Sequence, residues 1–401
     1  MNNIVYITVS RLIPQLMSFI SVLVVTQYYT VTEYGYYSIG FGLLGFLSLF
    51  STLGFNDYLL SNKLKANNKN VIVKSLIVYK VFSYALSIIA LFFILGNYDE
   101  NIYLIIFSIC IFENLSRRLE EVFFFYFQIN EKYNIYTYRR LLISLINTIS
   151  KIASVVIFKL NIKYFALYNS LILLLLLLFF YRDILFSLFK LKIRHFKFFI
   201  NLLKADHRKI ISFLVISLSF YIYFSSDLFL LTLISDSRNV AVYNLGLSFM
   251  GAALVPAGAL WSLLIVKSRD LKFNKYFLIT AVSSILLSVF CYLFVYIYVT
   301  YLNDKYIDLL KVFLFLTLFM PFRYVNVIYE LYFTKNDKIK VITVVRVTAA
   351  VLNLSFNLIL IPKYNALGAA FSTMLVEVII FIIYACLKVR KNESYNNNCL
   401  L

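Results

Sequence analysis

The chain has 401 residues, 62% of them hydrophobic and only 14% charged, with a mean hydropathy of +0.84. Soluble domains carry roughly 25% charged residues, so this composition excludes a water-soluble fold and leaves room for about a dozen bilayer-crossing helices of about 20 residues each. The formal net charge of +19 would suggest nucleic acid in a soluble protein. Cytoplasmic loops of membrane proteins collect lysine and arginine, so no nucleic-acid partner is expected.

Apolar stretches fall at 4–29, 34–56, 71–95, 101–127, 134–158, 164–187, 210–234, 240–266, 276–301, 306–333, 340–361 and 366–388, twelve in all. Lipid cannot satisfy exposed backbone groups, so each is read as a helix. The first stretch is too long for a cleavable signal and lacks a basic leader. The four cysteines, Cys110, Cys291, Cys386 and Cys399, are scattered, with no CxxC pair or Cys/His cluster. Neither a disulfide framework nor a metal site is expected, and no cofactor.

Basic residues alternate between connections. One set runs from Lys63, Lys65, Lys69 and Lys74 through Lys132, Arg139 and Arg140, the 182–209 stretch, 267–275 and 335–340, to Lys388, Arg390 and Lys391, and holds 25 cations. The other set holds 5: Lys159, Lys163, Arg238, Lys305 and Lys363. This bias places both termini in the cytoplasm. The long basic stretch between helices 6 and 7 divides the chain into an N-terminal lobe at 1–187, a cytoplasmic linker at 188–209, a C-terminal lobe at 210–388 and a cytoplasmic tail at 389–401. The lobes look duplicated. Tyr37, Gly40 and Gly45 match Tyr243, Gly246 and Gly251 at a constant offset of 206, and Lys163-Tyr164-Phe165-Ala166-Leu167 matches Lys363-Tyr364-Asn365-Ala366-Leu367. A parallel repeat of this kind places a substrate site between the halves near mid-membrane.

A charge at a helix centre costs about 2.5–3.5 kcal/mol on insertion scales, so intramembrane charges should face a hydrated interior or pair with one another. Helix 4 carries Glu113, Arg117, Arg118, Glu120 and Glu121, with Glu113 and Arg117 four apart on one face. Arg11, Lys80, Lys151, Arg323 and Arg346 lie on five other helices, with no acid within a turn on the same helix. Arg11, Lys80, Arg117, Lys151, Arg323 and Arg346 are therefore candidate substrate-binding cations lining a cavity for an anion. Glu113, Asp227 and Glu377 are candidates for ion coupling or for salt bridges. Lys311 is expected to snorkel to the surface. Pro14, Pro256 and Pro321 fall inside helices, as kinks or tolerated bends.

Residues 351–377 read Val-Leu-Asn-Leu-Ser-Phe-Asn-Leu-Ile-Leu-Ile-Pro-Lys-Tyr-Asn-Ala-Leu-Gly-Ala-Ala-Phe-Ser-Thr-Met-Leu-Val-Glu. This resembles the helix 11–12 signature of bacterial O-antigen and capsule flippases, the Wzx-type exporters of the MOP/MATE superfamily, through Asn353, Asn357, Pro362, Tyr364, Gly368, Ala369 and Glu377. Glu33-Tyr34-Gly35-Tyr36-Tyr37, Phe127-Gln128-Ile129-Asn130-Glu131-Lys132 and the segment from Asp227 to Tyr243 resemble the same family more weakly. The resemblance implies an all-α, MATE-like integral membrane protein of the bacterial inner membrane. It also implies a cargo, an undecaprenyl-diphosphate-linked glycan moved to the periplasmic leaflet, with membrane lipids and polysaccharide polymerase machinery as further partners. In the motif, Pro362 is expected to end helix 11 and Gly368 to Ala370 to let helix 12 pack closely.

Two alternatives remain. A multidrug/toxin extruder of the same fold would favour an acidic cavity for cationic drugs. A membrane enzyme, such as an O-antigen polymerase, glycosyltransferase or acyltransferase, needs a large outer loop or a catalytic base. No such loop is present, and the two histidines, His195 and His207, sit in the basic linker. No catalytic residue is assigned.

Overall fold

The computed structural model describes residues 2–52, 55–56, 59, 69–96, 98–188, 193–205, 207–266, 273–336 and 338–398. Lys63, Lys65 and Cys399, named above, and Lys190, Lys192, Lys267, Arg269 and Lys272 of the basic stretches lie outside the described residues. The described chain is all-helical. Its elements are α1 (Asn2–Tyr28), α2 (Val31–Thr52), α3 (Lys69–Leu95), α4 (Glu100–Phe107), a π-helical turn at Ser108–Glu113 and α5 (Asn114–Ile129). Next come α6 (Tyr133–Val156), α7 (Ile162–Phe180), α8 (Arg182–Leu188), α9 (Ile193–Ala205), α10 (His207–Ile234) and α11 (Ser237–Val266). The chain closes with α12 (Phe273–Ile297), a π turn at Tyr298–Leu302, a 3-10 turn at Asp304–Tyr306, α13 (Leu309–Lys335) and α14 (Ile339–Asn398). Every expected apolar stretch lies mainly on helix where it is described. Among the described residues, 7 helical segments are long and apolar enough to cross a bilayer. Among those that are not, α5 carries Arg117, Arg118, Glu120 and Glu121 within 16 residues.

Two helix starts show why the chain turns where it does. At α2, Thr30 and Glu33 form a reciprocal cap: the Thr30 N–H and hydroxyl donate to Glu33 Oε2 at 2.9 and 2.8 Å, and the Glu33 N–H donates to Thr30 Oγ1 at 3.3 Å. At α11, Asp236 Oδ1 accepts from the Asn239 N–H at 3.0 Å.

By contacts the chain forms two compact units, Met1–Ala241 and Val242–Leu401. In the first unit, α10 packs along α2. Small residues form that seam: a side chain at Gly42 would strike Thr232 Cγ2, one at Gly35 would strike the Ser237 carbonyl, and Phe46 stacks on Phe229 at 4.3 Å. A core of aromatics joins α3, α5, α7, α8 and α9, with Phe123 stacked on Tyr181 at 4.3 Å and Phe199 against Phe55 at 5.4 Å. On α3 the opposite face leaves Phe82, Ile89, Phe92 and Phe93 exposed, as a lipid-facing surface should be.

In the second unit, α13 packs against α12 and α14. Pro362 does not end its helix, contrary to expectation. The chain stays helical through Pro362 and reverses at Asn365, where φ is positive at 49° and the torsions are not helical. Gly368 then passes so close to the Leu360 carbonyl that a Cβ there would collide with it, and this lets the second arm of α14 fold back on the first.

A cationic cavity in the N-terminal unit

The π turn at Ser108–Glu113 precedes α5 and sets its facing. The Tyr84 hydroxyl donates to the Ile111 carbonyl in that turn at 3.2 Å, and π turns of this kind cluster at functional sites. On one face of α5 stand Arg117, Glu120, Glu121 and Phe124, which with Ser10 and Arg11 of α1 and Tyr136 and Arg140 of α6 line a cavity of about 270 Å³. The other face carries Leu115, Arg118, Leu119, Val122 and Phe123, and with α3, α7 and α8 lines a mainly apolar groove of about 340 Å³ in which Lys80 and Arg118 are the charged residues.

The carboxylates in this region are all engaged. Arg117 Nη2 lies 2.9 Å from Glu113 Oε1, the expected spacing of four along one face. Lys80 Nζ pairs with Glu121 and donates to the Ser51 carbonyl at 2.6 Å. Arg140 pairs with Glu120, donates to the Ser10 carbonyl at 2.8 Å and donates to the Tyr136 hydroxyl at 2.9 Å. Arg118 is 2% exposed and rests on neutral partners, Asn114 Oδ1 at 3.0 Å and Ser83 Oγ at 2.5 Å. Arg11 is exposed and sits over the Phe124 ring at 5.8 Å. Among the described residues, neither Arg11 nor Lys151 lies within ion-pair distance of a carboxylate. The region therefore keeps a positive excess after its pairs are closed.

Lys151 lines a second, smaller cavity of about 130 Å³ between α1, α6 and α7, with Ser18, Ser21, Ser144, Asn147 and Thr148. Glu120 and Arg140 line both cavities.

The candidates of the second unit are paired. Glu377, 0% exposed, accepts from Asn326 Nδ2 at 2.5 Å and lies 3.4 Å from Arg323 Nη1. Arg346 Nη2 lies 3.1 Å from Glu330, so Glu330 serves Arg346 and not Arg323, its neighbour two turns away on α13. Asp227 of α10 is buried beside the Ser226 hydroxyl at 3.4 Å, and Lys311 is exposed. Arg139 and Arg140, counted above as connection cations, lie inside α6, where Arg139 forms a two-bond pair with Asp183 at 2.8 and 2.9 Å.

Arg140 and Glu120 were not among the expected site residues, yet a signal for Arg140 was present. The 206-residue offset of the tyrosine and glycine pairs also relates Thr30 to Asp236, Arg117 to Arg323, Arg140 to Arg346, Asn147 to Asn353 and Lys151 to Asn357. The structure gives several of these pairs the same task. Thr30 and Asp236 both cap a helix, Arg117 and Arg323 both pair with glutamate, and so do Arg140 and Arg346.

No protein-family profile matches the chain, and neither does any curated protein. Solved structures do match. An inward-facing multidrug resistance MATE family transporter of the MOP superfamily aligns over 98% of this chain and 99% of its own, with a TM-score of 0.67 at 14% identity. The lipid II flippase MurJ, in an inward closed conformation, aligns over 95% of this chain and 86% of its own, with a TM-score of 0.71 at 15% identity. The chain has a MATE/MurJ-like fold. A third structure with this fold is a MOP superfamily transporter from Pyrococcus furiosus described as having a binding pocket of reverse polarity; it matches with a TM-score of 0.51 at 13% identity over 96% of this chain and 95% of its own.

Proposed function

We propose that this protein is a flippase of the bacterial cytoplasmic membrane that moves an undecaprenyl-diphosphate-linked oligosaccharide, an O-antigen or capsule repeat unit, to the periplasmic leaflet. In this reading the chain crosses the bilayer twelve times as two related sixes, with both termini in the cytoplasm, and works by alternating access of its halves. The observation that carries it is the positive excess around Arg11, Arg117, Arg140 and Lys151 in a chain with a MATE/MurJ-like fold. A diphosphate cannot enter hydrocarbon unaided, because the idealised cost of desolvating even one ion is of order 20 kcal/mol. A hydrated cationic cavity lowers that barrier, and the mainly apolar groove on the far side of α5 offers the tail a path that stays in lipid. Lys80 supports the cavity through its ion pair with Glu121, Arg323 and Arg346 are held in ion pairs within the second unit, and Arg11 and Lys151 are the cations left for cargo. The ion coupling candidates Glu113 and Glu377 are in salt bridges.

The test uses cells in which this gene is the sole exporter. Arg11→Ala with Lys151→Ala should abolish surface polysaccharide at unchanged protein level. Normal polysaccharide in the double variant sinks the proposal. The second reading, a multidrug extruder, is favoured by the full-length alignment with a multidrug resistance transporter. It predicts that the same cells gain resistance to cationic drugs, and that removing the two cations increases that resistance.

A further inference from the structure

The two units differ at one place where their helices otherwise correspond. In the second unit Asn353 and Asn357 are both 0% exposed, and Asn357 Nδ2 donates to Asn353 Oδ1 at 2.9 Å. The residues 206 positions earlier, on α6, are Asn147 and Lys151. Exchanging the second asparagine for lysine removes the matching bond. Asn147 Oδ1 is buried and has no hydrogen-bond partner among the described residues. Among the same residues the Lys151 ammonium makes no hydrogen bond and no ion pair.

The cavity these two groups line is chemically specific. Two of its three serines turn their own hydrogens away: Ser21 donates to the Ser18 carbonyl at 2.6 Å, and Ser144 to the Leu141 carbonyl at 2.9 Å. Their oxygens, with Asn147 Oδ1, remain as acceptors, so the cavity asks for several donors and one anion together. Water supplies donors but no charge. A fully ionised diphosphate supplies charge but no donors. A sugar ring that carries a carboxylate supplies both. The volume, about 130 Å³, suits a single ring.

We propose that this cavity between α1, α6 and α7 is a subsite for one acidic sugar of the cargo, with Lys151 on its carboxylate and Asn147 on a hydroxyl. The inference rests on the flippase reading above. Because Glu120 and Arg140 line both cavities, the acidic sugar lies close to the diphosphate held beside Arg11 and Arg117.

The experiment measures binding to the purified full-length chain in nanodiscs. Three probes are compared: undecaprenyl diphosphate, its glucosyl derivative and its glucuronosyl derivative. The native chain should bind the glucuronosyl probe at least about tenfold more tightly than the glucosyl probe, the effect of one charge-assisted hydrogen bond. Lys151→Asn restores the residue that the second unit uses, so it should fold and bind the glucosyl and glucuronosyl probes with equal affinity. Lys151→Gln provides a second arm with the same expectation, and Lys151→Arg should retain a preference. Equal binding of both sugars by the native chain, or a preference that survives Lys151→Asn and Lys151→Gln, overturns the subsite and leaves the flippase reading intact. Failure of all three probes to bind the native chain overturns the flippase reading, and the subsite with it.

Discussion

Glu377 was a candidate for ion coupling, and the structure gives it a packing task that can be weighed. Its carboxylate is 0% exposed, accepts from Asn326 at 2.5 Å and faces Arg323, whose side chain is 18% exposed. Removing one partner of a buried ion pair costs about 3–5 kcal/mol, because the other charge is left uncompensated. Arg323 keeps some access to water, which moves the figure towards the lower end, about 3 kcal/mol with the Asn326 contact included. For a unit of this size, about 2–4 °C per kcal/mol converts that into a melting shift of roughly 6–12 °C for Glu377→Ala. Replacing both partners with apolar residues should cost much less, since paired buried charges often exchange neutrally for hydrophobic ones. The assay is thermal melting of the purified chain in nanodiscs, run as a double-mutant cycle with Arg323→Met and Glu377→Met. A coupling above about 1 kcal/mol is expected for residues in contact. If Glu377→Ala melts within about 2 °C of the native chain while transport is lost, the carboxylate acts on cargo or a coupling ion, and the structural argument is refuted.

Two further perturbations follow from the same packing. Gly368→Ala pushes a methyl into the Leu360 carbonyl, a backbone atom that cannot rotate away, so a loss of about 1–3 kcal/mol is expected from overpacking; an unchanged melting temperature and membrane yield contradict that. Arg118 is fully buried on Asn114, Ser83 and the Leu47 carbonyl, so Arg118→Ala should destabilise by about 3 kcal/mol or more, while Arg118→Met, which keeps most of the volume, should melt closer to the native chain. The reverse order in melting experiments would show that charge, and not packing, holds this site.

The helices, the duplication of glycine and tyrosine positions and the clustering of charge on α5 follow from simple periodicities, so they are legible in one sequence. Partners across helices are not. Spacing rules reveal only residues three or four apart on the same helix, which is why Glu113–Arg117 was visible and Lys80–Glu121, Arg140–Glu120, Arg323–Glu377 and Arg346–Glu330 were not. The turn at Asn365 was misassigned to Pro362 for a related reason. Proline forbids a hydrogen bond to the residue four back, but in a membrane helix neighbours can satisfy the freed carbonyl and the helix continues. Only a backbone that must reverse needs the positive φ of Asn365. A duplicated chain nevertheless carries one long-range rule of its own. Once a constant offset is found, each charge can be compared with its twin, and a pair conserved in kind between halves, such as Arg140 and Arg346, points to shared architecture. A pair that differs, such as Lys151 and Asn357, then marks where one half has exchanged the hydrogen bond between two buried asparagines for a charge. In a bilayer interior that exchange carries a cost, and a ligand that supplies the missing charge is the physical reason for it to persist.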